Sequence, residues 1–272
     1  YDNKNKKNLN NHVVISEDEG KTFNTVIDTK IRGQASNIIF YKDDINTKDV
    51  KTHNWHHILA ECGWSKINKR WITLLNKESL TKQKNSLYGI LDCESDGNCF
   101  FHCIANSLNE KELYLSNEYY DQNDIRHMIA DSITEDKYNE LLNYYKIMKD
   151  ADDFDEEWDP YSIESIEDFK TEITKSGHNY WGDWLLLDIL CKALKVNIFI
   201  LNTDTTSNNF TVYNTMIEYQ SDFSSIFLSY EDLSHFQLIG YFNGDKMISY
   251  FNEKQIPREL KKICQIITNN DK

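Results

Sequence analysis

The run Asp96-Gly97-Asn98-Cys99-Phe100-Phe101 carries the strongest chemical signal in this sequence. Asp, Gly and Asn predict a sharp turn. The apolar residues Cys99–Leu108 that follow predict a buried helix with the cysteine at its start. Unpaired N–H groups at a helix N-terminus favour negative charge, and so favour a thiolate over a thiol. The same groups, with those of the turn, could bind a developing oxyanion. Gly97 allows a backbone conformation that other residues resist. A thiolate nucleophile also needs a base, usually His, which can be distant in sequence.

Eight histidines are available: His12, His53, His56, His57, His102, His127, His178 and His235. His102 and His127 fall within predicted helices, and His178 sits in a turn-like Gly-His-Asn. His235 opens the last apolar strand, where a ring can face a neighbouring helix N-terminus. Chemistry alone leaves it one candidate among these. Cys93 and Cys103 lack the turn context and read as core. Cys93, Cys99, His102 and Cys103 do not follow a known zinc spacing. His53, His57 and Glu61 would share a face if helical, like a facial metal triad, and packed or surface histidines are the plainer reading. Gly20-Lys21-Thr22 lacks the glycine a phosphate loop requires, since Ile15 stands there.

The elements that must position these groups are legible in part. Residues 1–12 are polar and predict a frayed end. Residues 13–84 offer short apolar pieces (Val13–Ile15, Asn37–Tyr41) and one helix around Trp55–Cys62. Tyr88–Leu91 predicts a strand. Helices are predicted over 121–133, 138–148, 163–175 and 183–194, and strands over 197–201, 210–213, 225–229 and 236–242. Residues 254–267 predict a terminal helix. Helices followed by a run of strands argue a mixed α/β or α+β domain. The expected division is an N-terminal extension over 1–84, a catalytic domain over 85–245 and a C-terminal helix over 246–272.

The chain has 272 residues, with 44 Asp+Glu against 30 Lys+Arg and a net charge of -14. Its pI is about 5.0 and its mean hydropathy -0.64. Hydrophobic residues at 40% can build a core, whereas the acidity repels phosphate backbones and disfavours nucleic acid. A basic protein partner suits the field better. Half of the excess charge falls in Asp150–Asp159, with seven acids and no base. That run reads either as a solvated loop or as a grip for a basic partner, through Asp152, Asp153 and Glu156. No apolar run is long enough to span a bilayer. Six cysteines without a CxxC pair suggest reduced, intracellular thiols. The opening Tyr reads as a piece of a longer chain.

Three segments, in this order, resemble the ovarian tumour (OTU) domain cysteine proteases, which are deubiquitinases. The first is Asp96–Phe101. The second is Tyr180-Trp181-Gly182 with the helix and strand that follow, through Leu201. The third is Ser234-His235-Phe236. The resemblance covers roughly residues 87–243. It implies an OTU-like fold with a small central sheet flanked by helices. It implies a Cys99 nucleophile, a His235 base, and Asp96 shaping the oxyanion loop. Trp181 and Gly182 would pack near the site. Many family members place Asn or Asp two residues after the histidine to orient it; here Gln237 stands there, with a carbonyl but no charge. The implied substrate is ubiquitin, polyubiquitin or a ubiquitin-like modifier on lysine. No metal or organic cofactor is implied, nor any membrane. The expected form is a monomer in the cytoplasm of a cell or host, of viral or intracellular-pathogen origin. Rival readings are a non-catalytic ubiquitin-binding module, a thiol glutamine deamidase, and a metal protein built on His53, His57 and Glu61.

Overall fold

The structure, a computed structural model, describes residues 14–18, 22–26 and 50–266, apart from 82–85, 94–95, 113–118, 155, 208, 215–217 and 233–234. The apolar piece expected at 37–41 lies outside these residues. Strands β1 (Val14–Asp18) and β2 (Thr22–Val26) form an antiparallel pair of their own.

The main sheet has seven strands. They are β3 (Trp64–Lys66), β4 (Tyr88–Leu91), β5 (Val196–Asp204), β6 (Asn209–Asn214), β7 (Ser224–Glu231), β8 (His235–Phe242) and β9 (Met247–Ile248). Their order is β3-β4-β8-β7-β5-β6, with β9 on β8. All pairings are antiparallel except β5 with β7. β5 is buried over nearly its whole length, which explains its apolar run, Ile198–Leu201.

Helices cover both faces. On one lie α3 (Cys99–Glu112), α4 (Gln122–Ser132), α5 (Glu135–Asp150), α6 (Ile166–Thr174) and α7 (Leu187–Leu194). Residues Phe100–Glu110 of α3 are all buried, so it is the central helix of this layer. Caps set the starts of its neighbours. Asp121 and Asp124 form a capping box on α4, Thr134 caps α5 and Ser165 caps α6. The other face holds α2 (Lys69–Glu78) and α8 (Arg258–Ile263), with Trp71, Leu75 and Leu260 packed on Phe199, Phe227 and Ile239.

The division expected at 84/85 falls between two paired strands, because β3 is the partner of β4. Trp55, Trp64 and Trp71 are buried. Trp55 donates its indole N–H to the Ser86 carbonyl, and Trp71 donates to Thr203 Oγ1. Residues from 246 onward are tied in as well. The buried carboxylate of Glu110 accepts from the Ser249 N–H, the Ser249 hydroxyl and the Tyr250 N–H. The helix expected at 55–62 is a short α-helix α1 (Trp55–Ile58) running into a 3-10 turn (Leu59–Cys62).

Candidate active site

Cys99 is the first residue of α3, and His235 the first of β8. Both line one cleft of about 430 Å³, with Gly97, Asp153, Glu156, Trp181, Asp183, Trp184, Tyr230 and Phe236 among its walls. The backbone N–H groups of Phe236 and Phe100 face the Cys99 sulfur. Burial pushes the thiol above its ordinary range, and these two N–H groups oppose that only in part. Burial therefore works against the thiolate, and a base is needed to make the sulfur a nucleophile.

His235 Nε2 lies 3.2 Å from Asp92 Oδ1. Gln237 donates its Nε2–H to the same oxygen, also at 3.2 Å. The Gln237 carbonyl, expected to take the imidazole N–H, has no hydrogen-bond partner. A carboxylate therefore stands against the imidazole after all, supplied by the residue that follows β4 rather than from β8. Strand register brings it there: Leu91 pairs with Leu238, which sets Asp92 opposite Gln237. No local motif marks Asp92; the pairing of 88–91 with 235–242 was the signal that could have found it.

Asp96 faces the loop instead. Its two oxygens accept from the Asn98 N–H and the Asn98 side-chain amide, each at 2.9 Å, and His102 Nε2 is 3.5 Å away. Burial would raise this carboxyl, but the Asn98 bonds and His102 outweigh it and hold it below its ordinary value. Asp96 is a stable anion that shapes the turn. At Gly97 the backbone has φ +82°, and a Cβ would run into the backbone of Gly177 and come 2.8 Å from the His178 nitrogen. Only glycine fits.

Gly182 lies against the Phe100 ring, where a Cβ would approach Phe100 Cβ to 2.7 Å. Trp181 lies on the cleft wall, and its backbone N–H donates to Glu156 Oε2 at 3.1 Å. Glu156 also accepts from the Trp158 indole. Burial and the neighbouring Asp183 push the Glu156 carboxyl up to about 8, and burial raises Asp183 to about 6. Glu156 is thus a half-buried bracket behind the cleft, not part of a solvated loop. Asp152 and Asp153 are exposed, with Asp153 on the cleft. Tyr230, which the sequence reading missed, stacks on Phe236 at 4.3 Å between ring centroids.

The remaining candidates go elsewhere. Cys93 and Cys103 are buried, with their sulfurs 3.4 Å apart. His53 precedes α1, and α1 is too short to carry His53, His57 and Glu61 on one face. Among the described residues no group of three His, Cys, Asp or Glu is placed to hold a metal ion.

A cysteine at a helix start, a glycine turn just ahead of it and a histidine at a strand start border one cleft. The sequence profile described as OTU-like cysteine protease matches residues 94–236, just over half of the chain. The chain belongs to this family. No curated protein matches the sequence. Similar solved structures include the Hazara virus OTU bound to ubiquitin, at 16% identity and TM-score 0.36, covering 60% of this chain and 82% of that one. Another is an ovarian tumour domain in complex with ubiquitin, at 16% identity and TM-score 0.40, covering 65% and 82%. A third is an OTU deubiquitinase from Wolbachia pipientis wMel bound to ubiquitin, at 15% identity and TM-score 0.39, covering 58% and 98%. Among the described residues no helix is long and apolar enough to cross a membrane.

Proposed function

We propose that this OTU-family protein hydrolyses isopeptide bonds between ubiquitin, or a ubiquitin-like modifier, and lysine. The observation that carries the reading is the convergence of Cys99 and His235 on one cleft, with Asp92 bonded to the imidazole. In this reading His235 takes the Cys99 proton as the sulfur attacks the isopeptide carbonyl. Asp92 stabilises the imidazolium that forms. Backbone N–H groups of Asp96–Cys99, apart from that of Asn98, which donates to Asp96, hold the oxyanion, and His235 returns the proton to the leaving lysine amine. Water, activated by the same histidine, then hydrolyses the thioester and frees Cys99.

The cleft wall supports a cationic substrate segment. Asp153 and Asp183 line it beside Glu156, which holds its proton at neutral pH, and among the described residues no Lys or Arg does. Asp152 and Asp153 would hold arginines of the modifier's tail, and Trp181 would flank it. The assay is cleavage of linkage-defined di-ubiquitins by wild type, Cys99→Ala and His235→Ala. Turnover by wild type alone is the expected result. Binding of ubiquitin without turnover by wild type would favour a non-catalytic module. Ammonia release from a glutamine substrate, without chain cleavage, would favour a deamidase.

A further inference from the structure

Arg126, on α4, is fully buried, with 0% of its surface exposed. Its guanidinium meets only neutral acceptors. Nη1 donates to the Ile173 carbonyl at 2.9 Å, and Nη2 to the Tyr180 carbonyl at 2.9 Å. Nη2 and Nε both reach Asn98 Oδ1, at 2.7 and 3.2 Å, and Nη2 also lies 3.4 Å from the Gly97 carbonyl. The Phe101 ring covers one face, 3.9 Å from the guanidinium carbon to the ring centroid. Among the described residues no carboxylate forms an ion pair with it. Burying an unpaired guanidinium is expensive, and apolar packing would hold α4 in place without it.

What the guanidinium grips is the loop that ends at the nucleophile. Asn98 Oδ1 also accepts the Gly177 N–H at 3.1 Å, so one amide oxygen joins α4, the Gly177 turn and the Cys99 loop. A trans peptide points its C=O and N–H in opposite directions. With the Gly97 carbonyl held toward Arg126, the Asn98 N–H of the same peptide points to Asp96 Oδ1. Glycine at 97, with its wide conformational freedom, leaves this peptide otherwise able to turn over. A turned peptide would remove the Asn98 anchor on Asp96 and free the carbonyl to approach the oxyanion position.

We infer that Arg126 is a positioning residue that locks the Gly97–Asn98 peptide with its carbonyl inward, keeping that carbonyl away from the oxyanion and the loop's other N–H groups available to it. The inference rests on the reading of Cys99 as the nucleophile. It separates two reactions of the same sulfur. Hydrolysis of a ubiquitin C-terminal amide passes through an oxyanion, whereas alkylation by iodoacetamide displaces iodide directly and forms none.

The test uses the full chain with Arg126→Lys, which keeps a charge and loses the planar fork. Its kcat on a fluorogenic ubiquitin amide should fall about 100-fold, as for loss of an oxyanion donor, with KM and Cys99 alkylation each within about threefold of wild type. A kcat within about threefold of wild type overturns the inference, as does an alkylation rate that falls in step with kcat. If Arg126→Lys does not fold, Arg126→Gln carries the test, since its neutral amide removes the cost of a buried charge and cannot reach all of the Gly97, Ile173 and Tyr180 carbonyls. The same split supports the inference, and unchanged kcat overturns it. Turnover retained by Cys99→Ala would instead sink the reading of the site on which the inference depends.

Discussion

The charge of Asp92 should be the part of the His235 environment that matters most for turnover, and Asp92→Asn isolates it. Asparagine keeps the shape and an oxygen at the same place, so the imidazole stays oriented while the charge is lost. Across 3.2 Å, a full charge pair is worth about 1.3 kcal/mol at the dielectric of water and about 5 kcal/mol at an effective dielectric of 20. The Asp92 side chain is 72% exposed, which sets the real value toward the water limit. The expected loss is therefore about 1–2 kcal/mol of transition-state stabilisation, or roughly 5–30-fold in kcat. Gln237→Ala removes a neutral donor from Asp92 but leaves the carboxylate charge beside His235, and should cost less than about threefold. Because the pair is open to solvent, the Asp92→Asn defect should shrink as salt rises. The assay is steady-state hydrolysis of a ubiquitin C-terminal amide by both variants at low and high ionic strength. Wild-type kcat in Asp92→Asn would refute the assignment. So would a larger loss in Gln237→Ala, which would return the orienting role to the glutamine.

Asp152→Asn with Asp153→Asn should raise KM for ubiquitin substrates and weaken its salt dependence, whereas unchanged KM across salt concentrations would return these acids to a solvated loop. Glu156 should give an opposite kind of pH effect from a surface acid. Its carboxyl titrates near 8 in the folded protein against 4.5 ordinarily. Between those values the folded protein keeps a proton that the unfolded chain has released, so stability falls as pH rises. Glu156→Gln should reduce the drop in Tm between about pH 5 and about pH 8.5, and an unchanged slope would contradict the raised carboxyl. Gly97→Ala should lower both Tm and kcat, because the added Cβ meets the Gly177 backbone rather than a side chain that can move; wild-type values of both would show that the loop can relax.

The nucleophile was legible because its chemistry is local. A turn of Asp, Gly and Asn followed by an apolar helix needs no knowledge of the rest of the chain. Most helices and strands from 88 onward were legible for the same reason, as apolar runs bounded by turn residues. Asp92 was not, because it reaches His235 through the register of two strands far apart in sequence. Arg126 was hidden too, since an arginine in an amphipathic helix reads as surface. Glu156 was misplaced among solvated acids because Phe154 and Trp158, on either side, pack inward and draw it toward Trp181. Residues 50–78 gave no fold from sequence because their tryptophans bury only against strands supplied later in the chain.

The central claim is that Cys99 attacks a ubiquitin-type C-terminus. Intact-mass analysis with peptide mapping, after incubation with ubiquitin bearing a C-terminal electrophile, tests it most directly. The account predicts one adduct per wild-type chain, mapped to Cys99, and none on Cys99→Ala. An adduct of equal yield on Cys99→Ala, or one mapped to Cys93 or Cys103, would contradict it.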